Sequence, residues 1–518
     1  MRKNVLEYLE DAAKKYPERC AYRDHLSSWT FAQVIKTAKA IGSRIGALGQ
    51  GRRPVAVLME RCAKIIVSFL GVVYGGCYYC PIDADMPLER IRTIFAQLAP
   101  AAVITDQKQL ERIQELKLSC PVMLFEEICR AGENKQLLEQ IRKGSVDTDP
   151  LYVLFTSGST GIPKGVIASH RLIMNNMEWL ESEYRFNPND VMGNQAPLHF
   201  DIANHDIYCP LKFGCSTVII PYEYFTFPVK LIPFLKKEKV TAIFWVPFAL
   251  CVVANLRALE IEQPDQLRYV FFAGEVMPIK QLNYWRKYVP NAQYVNMYGS
   301  TETHICLYYQ LKREFRDDEK LPIGQSCGNV DVLVLDEEKQ VVVPESGKTG
   351  ELYVRGGAVA LGYLNDKEKT ETRFIQNPLN HHYPERIYRT GDWVSYNEFG
   401  ELVYHERMDF QIKHLGYRIE LGEIEATARG MEEIEECACS YDTKHQVIVF
   451  FYTGVKLERK EIIKYLSKKL PKYMLPGRYV HLEKMIRNDN GKIDRRNLLA
   501  WEMKEKKENG LYEKRCEK

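Results

Sequence analysis

From about residue 54 to about residue 290 the chain repeats one arrangement: a short apolar run, then an amphipathic stretch long enough for a helix. "RPVAVLM" leads into "KIIVSFLGVVYGG", "AAVITD" into "QKQLERIQEL", and "CSTVIIP" into "VKLIPFLKKEKV". "TAIFWVP" then leads into "FALCVVANLRALE", and "LRYVFFAG" into "MPIKQLNYWRKYV". Apolar strands separated by helices cannot face water on either side, so the pattern predicts parallel sheets covered by helices on both faces. From about residue 320 the texture changes to strands and turns, as in "VDVLVLDEE", "GELYVRGG", "RIYRTGDWVSY" and "GELVYHERMD". That change predicts a mostly antiparallel subdomain, with "YRTGDW" ending a strand in a turn that carries Asp392. After Asp409 the pattern returns to a small α+β unit, and the charge-rich end "WEMKEKKENGLYEKRCEK" reads as a frayed helix or tail.

A chain of 518 residues exceeds one core, so at least two domains are expected. The reading divides it into an α/β domain over 1–408, with layered sheets of αβαβα type and a β-rich subdomain, and a mobile domain over 409–518. The 71 basic and 68 acidic residues nearly cancel, which removes any general drive toward nucleic acid. No apolar run approaches a membrane span, and the polar start "MRKNVLEYLEDAAKKYPERC" does not resemble a signal peptide. A cytoplasmic protein is therefore expected, with its 14 cysteines reduced and mostly in the core. Cys77 and Cys80 lack the second ligand pair a zinc site needs, and His199 and His205 do not match a metalloprotease helix.

"YVLFTSGSTGIPKGV" (152–166) runs a buried-looking strand into a loop of glycines and hydroxyls, followed by a lone lysine. Such a loop lets backbone N–H groups approach an anion, although the same composition also makes plain surface turns. Lys164 stands between Pro163 and Gly165, so the loop is not a Walker loop and a P-loop kinase reading fails. "NMYGSTETHIC" adds aromatics and Glu302, "YRTGDW" adds Asp392, and "NDNGKIDR" places Lys492 on a turn. Together these supply what nucleotide chemistry needs: a carboxylate for Mg²⁺, another for ribose, an aromatic for a base and lysines for developing charge.

With these motifs in order, joined by "HFDIANHDIY", "GELYVRGGAVALGYL", "ERMDFQIKHLGYRIELGEIE" and "LPKYMLP", the chain resembles the amino-acid-activating adenylation enzymes. These belong to the acyl-adenylate-forming superfamily, which also holds acyl-CoA ligases and firefly luciferase. The resemblance implies two half-reactions. A carboxylate attacks the α-phosphate of Mg-ATP, releasing pyrophosphate, and a phosphopantetheine thiol then attacks the acyl-AMP. The implied ATP site comprises Thr156, Ser157, Gly158, Ser159, Thr160, Gly161, Lys164, Asn296, Met297, Tyr298, Gly299, Ser300, Thr301, Asp392, Tyr404, Arg407 and Lys492. Within it, the glycine-rich loop would hold the leaving phosphates, Asn296 and Tyr298 the adenine, Asp392 the ribose and Arg407 the nucleotide near the hinge. Glu302 would hold magnesium, Lys492 would be the catalytic residue bridging both reacting oxygens, and Asp409 would be the hinge of a rotating C-terminal domain.

By the same resemblance the amino-acid site is Asp201, Ile202, His205, Phe244, Phe271, Ala273, Gly274, Met297, Ile305 and Cys306, with Asp201 meeting the α-ammonium. Phe244, Phe271 and Met297 are bulky, so a small uncharged amino acid is expected. Motifs such as "NQAPLHFDI" and "FFAGEVMP" resemble those of D-alanine–carrier protein ligases, although Ala273 stands where those enzymes carry cysteine. A stand-alone enzyme of nonribosomal-peptide type fits equally well. Ser300, Glu406 and Leu361 depart from the usual motifs beside the functional positions, not on them. The expected partner is a separate holo carrier protein, since the stretch after Lys492 is too short for a carrier domain, and a monomer is expected. An acyl-CoA ligase and a non-catalytic nucleotide-binding regulator are the competing readings. Asp201 weighs against the first; the phosphate loop and Lys492 weigh against the second.

Overall fold

A computed structural model of the chain describes residues 2–158, 161–317, 319–344, 347–407, 410–487 and 493–508. Its contacts gather into two compact units. Met1–Ala84, Phe95–Phe155 and Gly165–Met408 form the first, and Asp85–Ile94, Thr156–Lys164 and Asp409–Lys518 form the second.

The first unit is built on two large sheets. A nine-stranded sheet runs its central strands Val191–Asn194, Ala242–Trp245, Tyr269–Ala273 and Gln293–Ser300 in parallel. A seven-stranded sheet does the same with Pro54–Met59, Tyr78–Asp83 and Ala102–Thr105. Every side chain of Pro54–Met59, Ala242–Trp245 and Tyr269–Ala273 is buried. A strand covered on both faces has no solvent side, which is why these runs are apolar throughout instead of alternating. The helices between them are capped locally: Thr30 and Gln33 form a reciprocal capping box ahead of Phe31–Gly46, and the Ser169 hydroxyl accepts from the Leu172 N–H ahead of His170–Glu183. Cys77 and Cys80 are buried here, and burial pushes both thiols up, as expected of core thiols.

A five-stranded antiparallel sheet completes this unit, with Thr349–Gly356, Arg386–Tyr396 and Leu402–Arg407 side by side. It corrects one expectation. "YRTGDW" does not end a strand; the strand continues for 11 residues, to Tyr396, and Asp392 lies inside it. Gly391 takes φ of 78°, and the pairing with Thr349–Gly356 shifts register between Glu351 and Tyr353. The glycine thus makes a bulge, which re-aims side chains while the ladder goes on.

In the second unit the hairpin Gln411–His414/Tyr417–Glu420 precedes helix Leu421–Ala428 and a three-stranded sheet of Ile434–Asp442, Val447–Gly454 and Arg478–His481. Both faces of that sheet are buried. Cys437, Cys439, Phe450 and Tyr452 pack with Ile424, Ile462 and Leu466, whereas Ala438, Val449 and Phe451 pack with Leu482 and Leu498. Among the described residues no helix is long and apolar enough to cross a membrane.

Candidate active site

In the first unit the predicted nucleotide residues Tyr298, Asp392 and Arg407 come together as one buried cluster. Asp392 and Arg407 are in-register partners on neighbouring antiparallel strands, which puts their side chains on the same face. Arg407 Nη1 donates to Asp392 Oδ1 at 2.7 Å, and its Nη2 donates to the Thr390 carbonyl at 3.1 Å. The Tyr298 hydroxyl donates to Asp392 Oδ2. Burial, reinforced by Asp392, pushes that phenol well above its ordinary value, so it stays a donor. The Thr390 hydroxyl accepts from the Asp392 N–H at 3.0 Å and fixes the backbone of the acid. Tyr404 lies on the same strand as Arg407 and packs against the apolar cluster that contains Tyr298. Asn296 donates from Nδ2 to the Pro322 carbonyl at 2.7 Å.

Glu302 is wholly buried in the turn between strands Gln293–Ser300 and His304–Gln310, and its Oε1 accepts from the Tyr363 hydroxyl at 2.9 Å. Around it, Thr301 is buried and the Ser300 N–H donates to the Thr303 hydroxyl at 3.1 Å. Among the described residues no group of three or more His, Cys, Asp or Glu could hold a metal ion. Magnesium is usually held by one or two carboxylates together with substrate phosphates, so a single buried Glu302 fits that ion and does not make an all-protein cage.

The predicted amino-acid pocket follows from sheet register. Phe244 pairs with Phe271, and Ala273 with Met297, so these four side chains share one face of the nine-stranded sheet. Ile202 and Ile305 belong to the same buried cluster, and a Cβ built on Gly274 would lie 3.4 Å from Ile202 Cδ1. Asp201 opens the helical turn Asp201–Ala203, and its Oδ1 accepts from the Ile202 N–H at 3.0 Å. That turn runs directly into helix Asn204–Phe213, which carries His205. Cys306 is not brought to this face. Its thiol donates to the Tyr298 carbonyl at 3.5 Å, it packs with Tyr298 and Leu307, and burial pushes it up to about 12.

Two buried groups here, His304 and Asp206, were not legible in the motifs. His304 is buried, with its ring centroid 5.1 Å from that of His205, and neither ring nitrogen of either histidine has a partner among the described residues. A buried polar group left so costs about 1–3 kcal/mol. Asp206, next along the helix, accepts from Asn194 Nδ2 at 2.7 Å, and burial pushes its carboxyl up to about 7.

The glycine-rich loop belongs to the second unit. There the Ser157 hydroxyl donates to the Arg418 carbonyl at 3.0 Å, and the Gly158 N–H donates to Glu423 Oε2 at 3.3 Å. Glu423 is wholly buried and paired with Arg90; burial pushes its carboxyl up, and Arg90 opposes that. Neither Arg90 nor Glu423 was among the sequence-derived site residues. The Gly161 N–H donates to the Gly158 carbonyl at 3.0 Å, the buried Thr156 hydroxyl has no partner among the described residues, and Lys164 is buried at the head of strand Lys164–Ser169. Ser159, Thr160, Asp409 and Lys492 lie outside the described residues.

A family model described as "AMP-binding enzyme" matches residues 9–364. This chain belongs to the AMP-binding enzymes. Over 495 residues this AMP-binding enzyme is 32% identical to the L-proline–[L-prolyl-carrier protein] ligase of Streptomyces coelicolor, covering 90% of the chain and 91% of the relative. It is 31% identical to a dimodular nonribosomal peptide synthase of Bacillus subtilis over 95% of its own length, but spans only 21% of that protein. The fold matches the Vibrio cholerae adenylation domain AlmE, solved in complex with glycyl-adenosine-5'-phosphate. There the TM-score is 0.83 at 21% identity, with 97% of this chain and 98% of that one covered.

Proposed function

We propose that this AMP-binding enzyme is an ATP-dependent amino acid–carrier protein ligase. The observation that carries this reading is the likeness to a prolyl-carrier protein ligase across nine-tenths of both chains. The buried Tyr298–Asp392–Arg407 cluster and the shared sheet face of Phe244, Phe271, Ala273 and Met297 support a nucleotide subsite and an apolar pocket in the same unit.

In the first half-reaction a substrate carboxylate oxygen attacks the α-phosphorus of ATP, the bond to the bridging oxygen breaks, and pyrophosphate leaves. Asp392, held by Arg407 and Tyr298, accepts hydrogen bonds from the ribose hydroxyls. The loop from Thr156 to Lys164 receives the leaving phosphates, and Asp201 pairs with the α-ammonium. A carboxylate in a small-molecule pocket is costly unless it meets a cation. Magnesium on Glu302 would offset charge on the phosphates. Lys492 stabilises charge on both reacting oxygens, which is where a placed cation lowers the barrier. In the second half-reaction the phosphopantetheine thiol of a holo carrier protein attacks the acyl carbonyl and AMP leaves. A hinge at Asp409 separates the two steps, and the reaction takes place in the cytoplasm.

Pyrophosphate exchange tests this. Exchange should depend on an amino acid, and loading should require holo carrier and fail with the apo form. Lys492→Ala should lower exchange by about 100-fold or more while leaving nucleotide binding largely intact. Exchange driven by fatty or aryl acids and by no amino acid would replace the reading with an acyl-CoA ligase.

A further inference from the structure

The His205–His304 pair carries more than packing. Both rings are buried, and burial lowers both imidazoles, His304 to about 3, so both are neutral. A neutral imidazole offers one N–H and one bare nitrogen. Two donors and two acceptors therefore stand side by side, 5.1 Å between ring centroids, with none of the four nitrogens engaged among the described residues. Native interiors rarely leave such groups unpaired without a use.

Both rings are held where they are. His205 meets the Phe244 ring edge-on at 4.4 Å, which ties it to the sheet face shared by Phe271, Ala273 and Met297. His304 sits at the hairpin turn with φ of 50°, a backbone region that histidine tolerates better than most residues. The His304 backbone packs directly on Gly299, where an added Cβ would lie 1.5 Å from the His304 carbonyl oxygen. His205 also follows Asp201 by four residues, where the 3₁₀ turn Asp201–Ala203 runs into helix Asn204–Phe213, so the two residues stand about one turn apart along the chain.

We infer that His205 and His304 together select a small amino acid with a side-chain hydroxyl, of the serine class. The inference rests on the amino-acid pocket proposed above and names its substrate class. An α-ammonium on Asp201 places the β-substituent one helical turn along, beside His205. A hydroxyl there accepts from the N–H of one ring and donates to the bare nitrogen of the other. An ammonium could only donate and a carboxylate could only accept, so either would use half of this set and bury a charge with no counter-ion from the two rings. Phe244, Phe271 and Met297 argue against a long side chain.

The test is amino-acid-dependent pyrophosphate exchange with serine and alanine, which differ only in the hydroxyl. In the unmodified enzyme serine should exceed alanine in kcat/KM by about 100-fold, because a site built to bond a hydroxyl rejects the analogue without it. His205→Phe keeps the ring against Phe244 and should bring the ratio below tenfold; His205→Gln, which keeps a donor and an acceptor, should restore part of it. A ratio below tenfold in the unmodified enzyme, or one unmoved by His205→Phe, overturns the inference. So does exchange with other amino acids but not serine; both outcomes leave the ligase reading standing. Exchange with no amino acid overturns the ligase reading itself, and the inference with it.

Discussion

Two arginine–carboxylate pairs lie buried in this enzyme, one in each compact unit, and they arise differently. Asp392 and Arg407 are 15 residues apart and face each other because two adjacent strands pair in register. Arg90 and Glu423 are 333 residues apart, and Glu423 also accepts from Gly158, so three distant segments must meet before that pair exists. Each carboxylate has a further donor: the Tyr298 hydroxyl for Asp392, a backbone N–H for Glu423. The Asp392 cluster uses residues chemically suited to a nucleotide. The Glu423 cluster occupies a donor of the glycine-rich loop with a carboxylate of the protein itself. A buried ion pair is therefore weak evidence of function until one asks what else its oxygens touch.

Variants of the two pairs should separate the roles. Removing one partner of a buried pair strands the other charge, at a cost of about 3–5 kcal/mol. Asp392→Ala should show that loss in denaturant melts and also weaken ATP binding in calorimetry by about 100-fold, or about 2.7 kcal/mol. Replacing both residues, as Asp392→Leu with Arg407→Met, should recover most of the stability and none of the affinity. Recovered affinity would break the contrast by making the cluster purely structural.

Glu423→Ala should cost about 3–5 kcal/mol by stranding Arg90, whose Nε already has no partner. Here Arg90→Met with Glu423→Leu should return to within about 1 kcal/mol of the unmodified protein, since well-packed apolar replacements of buried pairs are often neutral. A double variant as unstable as the single one would show that the Gly158 contact, not the ion pair, holds these segments.

Asp206 is another buried carboxylate, held by the Asn194 amide instead of by an arginine hydrogen bond. Burial raises it from 3.8 to about 7, so the fold favours its protonated form. Its contribution is full below the unfolded value and fades as pH rises through about 7. Between pH 7 and pH 5 acidification should therefore stabilise the unmodified protein by about 2 kcal/mol relative to Asp206→Asn. Parallel stability–pH curves for the two proteins would show that Asp206 is ionised throughout.

The strand–helix alternation determined the parallel sheets, because a strand buried on both faces must be apolar along its whole length. The ordered motifs likewise made Asp392, Arg407 and Tyr298 readable as one group, and the fold brings them into contact. Residues expected to line the pocket, such as Ala273 and Met297, share one sheet face for a similar reason, since register carries local order across strands. What the sequence could not determine was anything that depends on segments far apart meeting. A lone glycine at 391 reads as a turn, and only the pairing on both sides makes it a bulge. Cys306 sits beside Ile305 in sequence, yet a register shift in the pairing with Gln293–Ser300 leaves Cys306 as the extra residue and puts the two side chains in different clusters. Arg90 looks like any surface cation of an amphipathic helix until Glu423 arrives to bury it. His205 and His304 are ordinary polar residues in the chain; only the fold brings their rings together, buried and unpaired. Local patterns carry hydrophobic periodicity and turn chemistry, whereas the partner of a buried charge or an unpaired nitrogen is set by chain closure over hundreds of residues, which no local pattern encodes.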